Sequence, residues 1–578
     1  MPHQKKMTYN KFQKPNSNSF LKDRIILITT RMKNRNLLLI LFICIFQTLS
    51  AQDVVEIRNG NLRAIMSSTG FVPDPDGIFW LSYEEEDGST IPLAHATSPW
   101  FSGIDPAGNL FLNASTYGPI AASTIMDKVF QVSGEDIQAH IADFEDNGVI
   151  DNPIASVYSW PGRGNPFFSE YNEGLELPAT LYGLAPFWDT NGDGFYDPMQ
   201  GDYPVINVRG CEEVAVIPGQ LYWCVYNLFG PSNNDPMFEI QLSAFTFACE
   251  EEHPLNNALL ANYKTIYIAN EALDSSYWGL FTDFDLGCPF DDYVGSFPER
   301  NLAYFYNSDN MDENCSGLTG FGTNPPAVGV DIFRGPLALV DDQIQEVPLS
   351  SIIAYYNAGV SSTPPGTTDP ATVVEYYNYL QGLWRDGLPL TSGGIGYQGM
   401  EATSFAFPGL PEQENGWTEW EAQNPPSDRR VLMNFGPFDL PPGAVNEFAL
   451  GYSYYRGEGD HLDQPEGLRD QSDQLQAYFD NCFIIDAPNL PPCTQIVSNT
   501  KEATSVSSQL KIYPNPSNDI INIDSPYQVE IVHIRDIQGK YLKSFSGNTG
   551  DVSDLAAGLY LLEIEVAGRK YHKKLIVN

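Results

Sequence analysis

Two short segments place oxygen-bearing side chains at alternate positions: Asp143, Glu145, Asn147 and Asp151 in DFEDNGVID, and Asp189, Asn191, Asp193 and Asp197 in DTNGDGFYD. In both, the oxygens stand at positions 1, 3, 5 and 9, with Gly148 or Gly194 at position 6. Alternation turns carboxylate and amide oxygens to one side, glycine permits a sharp turn, and a backbone carbonyl adds a ligand, which is the logic of a calcium loop. An EF-hand also needs a bidentate glutamate at position 12, where these segments carry Ile154 and Gln200. The expected role is therefore structural calcium outside an EF-hand, with plain Asp/Gly turns as the alternative.

A third acidic run, Asp283, Asp285, Asp291 and Asp292, follows a strand pattern at Tyr277–Phe284. Carboxylates gathered at a strand end suit a second cation site, or a glycoside hydrolase centre, which needs two carboxyls about 5–10 Å apart across a sugar cleft. Between Glu412 and Glu421, Trp417 and Trp420 alternate with acids, a composition that suits either sugar stacking or core packing. Other chemistries lack their residues: there is no HExxH, no GxSxG elbow and no Walker-type loop. The one GxGxxG match, Gly394 to Gly399, follows a Pro/Ser/Gly turn and reads as a flexible loop. His95, His140, His253 and His461 are scattered, so neither a zinc peptidase nor a catalytic triad is indicated.

These residues must be held by a chain of 578 residues, more than one core supports, so at least two folded parts are expected. Net charge is −42, yet residues 1–51 hold nine basic side chains and one acidic, and residues 511–578 balance eight against eight. The acidic excess thus lies between Gln52 and Leu510, which argues against nucleic acid or an anionic membrane as partner and favours divalent cations. Short β-branched and aromatic runs separated by turn clusters from Val54 to Tyr117, and again at Phe238–Ala248, Ala258–Ile268 and Tyr277–Phe284, predict a mostly β fold. The segment from Asp143 to Asp202 reads as irregular and ligand-fixed. Few helices are expected: one starting at Asp369-Pro370 with Val373, Val374, Tyr377, Leu380 and Trp384 on one face, and one from Leu468 to Phe479.

From Met32 the chain reads as a signal peptide: Lys33 and Arg35, an apolar run from Leu37 to Phe46, and cleavage near Ala51, with Met32 the expected start. That run is too short for a membrane span of about 20 residues, and the mature protein is expected to have no integral span. In an exported protein the seven later cysteines should mostly pair, and sequence proximity suggests Cys211 with Cys224, Cys288 with Cys315 and Cys482 with Cys493, leaving Cys249 free.

From Leu510 the chain runs LKIYPNPSNDIINID, IRDIQGKYLKSF and DVSDLAAGLYLLEIEVAGRKYHKKLIVN. This resembles the type A sorting domain of type IX secretion cargo in its Tyr513-Pro514-Asn515-Pro516 opening, Gly539-Lys540, Gly558 and Tyr560, and the terminal strand with Lys573 and Lys574. The resemblance implies a small Ig-like β-sandwich recognised by the secretion translocon and sorting machinery, and hence a secreted or cell-surface protein that passes through the periplasm. The passages SPWFSGIDPAGNLF, WDTNGDGFYDPMQGDYP, GLFTDFDLGCPFDDYVG and YRGEGDHLD are also similar to stretches recurring in large modules of such cargo, from which no activity transfers.

The expected organisation is a signal region (1–51), an acidic β-rich ectodomain of one or two sandwich-like parts (52–496), a polar linker (497–509) and the sorting domain (510–578). The expected function is calcium-stabilised, non-catalytic binding or adhesion outside the cell, with extracellular glycan as a candidate partner. The alternative is a glycan hydrolase using the Asp283–Asp292 carboxyls.

Overall fold

The computed structural model describes residues 53–577 apart from 74–78, 115–121, 179, 181–182, 231–234, 250–252, 341–342, 358–362, 414–415, 485–492, 494–496, 501–509, 526–528, 536–539, 557 and 567–568. The signal-peptide reading lies outside the described residues.

The chief strands are β1 (Val54–Asn59), β2 (Leu62–Ser67), β3 (Leu81–Glu84), β4 (Thr90–Ile104), β5 (Gln220–Phe229), β6 (Pro236–Thr246), β7 (Ala258–Tyr267) and β8 (Leu273–Phe284). They continue as β9 (Asp292–Phe297), β10 (Leu302–Asn307), β11 (Ala327–Arg334), β12 (Leu349–Tyr356), β13 (Arg429–Leu440) and β14 (Val445–Tyr455). One sheet runs β1-β2-β3-β4-β8-β13-β12, and a second runs β9-β10-β11-β14-β7-β6-β5, with short strands at their margins. The pairings are antiparallel throughout, and the mostly β reading holds.

The two sheets face each other across a core rich in aromatic rings. Trp278 stacks on Phe448 with centroids 3.8 Å apart, Phe101 on Phe238 at 4.5 Å, and the Thr97 hydroxyl meets the Tyr452 hydroxyl at 2.7 Å. Along β7 the side chains alternate: Leu259, Ala261 and Tyr263 enter this core, while Ala258 and Leu260 enter a second one on the opposite face. Period-two alternation with both faces covered explains why the start of β7, Ala258–Ala261, reads as a continuous apolar run.

The second core packs segments 125–217 and the helix α3 (Gln464–Asp480) against the outer face of the second sheet. Helix α1 (Gly134–Asn147) is capped by Ser133, whose hydroxyl accepts the Asp136 N–H, and ends at Gly148 with φ 79°. Helix α2 (Val373–Leu380) starts later than expected: Thr372, not Asp369, is the N-cap, in a capping box with Glu375. That reciprocal pair satisfies orphan N–H groups that a lone aspartate before proline leaves open.

Disulfides correct the proximity argument. Only Cys288–Cys315 matches; the others are Cys211–Cys482 and Cys249–Cys493, and the free cysteine is Cys224. Cys224 points from β5 into the inter-sheet core while Cys211 lies in the second core, so the sheet stands between them. Both long-range bridges fasten the end of the ectodomain to that second core. The expected linker also begins as structure, because Val497–Thr500 pairs antiparallel with Val214–Ile217.

Residues 511–577 form a small two-sheet β domain around Ile521, Ile523, Val532, Ile534, Leu562, Ile564 and Leu575.

Candidate functional site

Strand ends bring the third acidic run together with residues more than a hundred positions away. Asp283 is the penultimate residue of β8 and Asp285 follows the strand; β13 lies beside β8 with Thr282 opposite Val431, which sets Arg430 and Asp428 at the same end. Carboxylate oxygens of Asp283, Asp285 and Asp428 lie within 4.8 Å of one another. Arg430 reaches three acids from the middle of the group: Asp428 at 2.9 Å, Asp283 at 3.1 Å and Asp369 at 3.6 Å. Asn357 donates to Asp428 at 3.0 Å.

Four carboxylates against one guanidinium leave the group strongly acidic in a desolvated place, since Asp283 is 1% exposed and Asp285 8%. Burial pushes the Asp283 carboxyl well above its usual range despite Arg430, and raises Asp285 to about 8 by burial and the nearby Asp428. One oxygen of Asp283 is buried without a hydrogen-bond partner among the described residues. The arrangement can bind a hard cation through oxygen, or hold protons.

Asp291 and Asp292 turn away toward a neighbouring group. Asp292 accepts the Leu286 N–H at 3.0 Å, and Asp312 accepts those of Cys288 and Phe321 at 3.0 and 2.6 Å, beside the Cys288–Cys315 bridge. Gly287, at φ 65°, is required there, because a Cβ would come within 1.8 Å of the Asp312 carboxylate. Burial raises Asp292 well above the carboxylate range, Asp291 to about 7 and Asp312 to about 6.

The two expected calcium segments differ in the structure. Asp143, Glu145 and Asn147 lie in the last turns of α1, so the first copy is helical and its oxygens do not alternate along an extended loop. Sequence reasoning read that segment as irregular because Asn147-Gly148, the helix stop, dominates its end. Asp143 instead accepts the Asn152 N–H at 2.9 Å, and Asn147 donates to Asp151 at 3.0 Å.

The second copy is a loop. The Asp189 carboxylate accepts N–H groups of Gly192, Asp193 and Gly194, Asn191 accepts that of Asp193 and Asp193 that of Phe195. Asp202, not singled out by spacing, closes it: fully buried, it accepts from Thr190 at 2.8 Å and from Asp197 at 2.9 Å, and burial raises it to about 6. The loop is thereby tied to the hairpin of Phe187–Trp188 with Tyr203–Pro204.

The tryptophan-rich run is packed into the fold. Trp417 donates to the Gly394 carbonyl at 2.9 Å and Trp420 meets the His461 ring, while Glu419 pairs with Arg429 at 2.9 Å in full burial. The Gly394–Gly399 segment is correspondingly tethered, not free, with Trp384 also bonded to the Gly396 carbonyl at 2.8 Å.

In the C-terminal domain, Asn515 fastens the opening motif to the last strand, donating to the Lys574 carbonyl and accepting the Ile576 N–H, each at 2.8 Å. Tyr513 and Lys574 stay exposed beside this join, Lys540 is exposed just before the strand Tyr541–Phe545, and the Tyr560 hydroxyl donates to the Ala556 carbonyl at 2.6 Å. Gly558 is exposed at the start of its strand, and Gly539 lies outside the described residues.

With that geometry in view, residues 511–578 match the family described as a secretion system C-terminal sorting domain. The chain is type IX secretion cargo, and a secreted or cell-surface protein. No helix among the described residues is long and apolar enough to cross a membrane. An alignment of 204 positions is 24% identical to beta-agarase D of Zobellia galactanivorans, covering 30% of this chain and 41% of that protein. A solved polysaccharide lyase overlaps 65% of this chain and 37% of its own at TM-score 0.18 and 8% identity, too slight a likeness to carry an argument. The chain spans less than half the length of each of these two relatives.

Proposed function

We propose that the exported protein is a non-catalytic binding protein for extracellular glycan, with calcium stabilising its fold. The burial of the Asp283 centre carries the non-catalytic reading: a hydrolytic carboxyl must meet the glycosidic oxygen, whereas Asp283 is 1% exposed and engaged by Arg430. Its oxygens are also closer to their neighbours than the roughly 5–5.5 Å or 6.5–9.5 Å that retaining and inverting chemistries use. Calcium is assigned to the Asp189, Asn191, Asp193 and Asp197 loop, now with Asp202, and a second hard cation suits Asp283, Asp285 and Asp428. The Asp143, Glu145, Asn147 and Asp151 segment is the weaker candidate, because its helix separates the oxygens. The partial similarity to a beta-agarase supports a polysaccharide as partner and directs the choice of polymer.

The hydrolase remains the second reading for one reason: Asp285, held near 8, keeps the proton that a general acid donates. Incubating the secreted protein with agarose and other insoluble polysaccharides in calcium, and assaying protein depletion and reducing ends together, separates the two. Depletion without new ends is expected; new ends that disappear in Asp285→Asn would establish the hydrolase.

A further inference from the structure

The outer face of the second sheet is apolar where segments 125–217 cover it, except along two cross-strand rows. Gln241 of β6 lies opposite Lys264 of β7, which lies opposite Glu447 of β14; one step along, Ser243 lies opposite Asn262. Their neighbours on this face, Phe245, Leu260 and Ala449, belong to the second core. A covered sheet face normally continues apolar, because polar groups taken from water cost free energy unless bonded. Here the rows floor a groove of about 320 Å³, roofed by Leu184–Trp188 and entered past Arg163 and Glu212.

The groove is chemically prepared for a polar occupant. Asn262 is 7% exposed; its amide donates to the Asn207 carbonyl at 2.8 Å, while its buried oxygen has no partner among the described residues. Lys264 and Arg163 supply donors, Glu447 and Glu212 supply acceptors, and the opposing charges balance. Burial lowers the Lys264 ammonium and raises the Glu447 carboxyl, each partly offset by the other, so both are poorly hydrated.

Hydroxyl groups both donate and accept, so a ring bearing several of them satisfies such a mixed lining without bringing net charge. Trp188 and Phe187 at the roof add apolar ring surface of the kind sugar faces pack on. The volume lies at the low end of the about 300–1,000 Å³ of ligand pockets, which favours one end of a chain over its middle. Resting on the glycan-binding reading above, we infer that this groove holds the terminal residue of a neutral saccharide, with Asn262, Lys264 and Glu447 as its hydrogen-bonding floor. The roof hairpin is the one that Asp202 ties to the Asp189 loop, so the cation loop and the saccharide groove share a support.

The test uses the secreted protein with neutral agaro-, cello-, laminari- and xylo-oligosaccharides in calcium, measuring Kd calorimetrically for wild type, Asn262→Leu and Ser243→Phe. The first variant replaces a polar side chain of the floor by an apolar one and the second fills the groove; each should weaken binding tenfold or more with an unaltered melting profile. Because either variant could fold poorly, hydrogen exchange on the wild type with saturating ligand provides an independent reading, with protection expected at 183–188 and 262–264. If an oligosaccharide binds but protection falls elsewhere and folded variants bind normally, the groove assignment is overturned while glycan binding stands. If neither the oligosaccharides nor insoluble polymers are bound, both fall.

Discussion

Lowering the pH from 8 to 6.5 should stabilise this protein when divalent cations are chelated, the reverse of ordinary acid sensitivity. Buried Asp285 holds its proton up to about pH 8 in the folded state, against an ordinary 3.8, and burial raises Asp283 beside it in the same direction. The folded state therefore binds more protons than the unfolded one, and by linkage stability falls as pH rises through that interval. One proton released with a midpoint near 8 costs about 1.6 kcal/mol between pH 6.5 and 8, at about 1.36 kcal/mol per pH unit for each proton. Asp292 and Asp331, both raised by burial, act in the same direction. Buried His140 and His461, lowered from 6.5, oppose the trend mainly at the acid end of the window, by at most about 0.4 kcal/mol each, Lys264, also lowered by burial, opposes it too, and the lowered carboxyls such as Asp143 titrate below about 4. Calcium requires ionised ligands, so its stabilisation should grow with pH, reaching about 2.7 kcal/mol at a hundredfold excess over Kd. The assay is denaturant unfolding at pH 6.5 and 8, in chelator and in calcium. A chelated protein more stable at pH 8 refutes the burial argument; a calcium increment that does not grow with pH refutes the cation placement.

Three further outcomes are expected. Asp189→Ala and Asp202→Asn should each abolish part of the chelator-induced loss of stability, whereas Asp143→Ala should leave it unchanged, as read from melting with and without calcium. Replacing Cys211 and Cys482 by serine, with Cys249–Cys493 intact, opens an effective loop of roughly 50 residues and should cost about 4 kcal/mol, measured as a shift of the denaturation midpoint, while Cys224 stays unreactive to thiol reagents until unfolding. Deleting residues 511–578 should leave the protein in the periplasm, which fractionation and immunoblotting of the medium would reveal; normal release would contradict the role of the sorting domain.

Several elements were legible in the chain because their causes are local. Alternation in Tyr263, Thr265 and Tyr267 needs only period-two geometry, and β7 appears within a residue of its expected end. The turn after Asp189 is closed by N–H groups three to five residues away, so its Asp/Gly spacing marks it as a turn. Tyr513–Pro516 and the terminal lysine strand are each short runs legible on their own, and Asn515 joins them with two hydrogen bonds. Helix α1 was missed because local Asp, Asn and Gly content outweighed Ile137 and His140, whose burial against the second core stabilises it.

Read from the chain alone, the sorting signature, the β class and the acidic excess hold, since each rests on residue order, local alternation or composition and on no long-range contact. Only the tertiary structure decided that Asp428 and Arg430 complete the Asp283 centre, that Cys211 and Cys249 bond partners 271 and 244 residues away, and that Gln241, Lys264 and Glu447 share one row. Those partnerships arise from strand order in two long antiparallel sheets, where hydrogen-bond register between distant segments, not distance along the chain, sets which side chains meet.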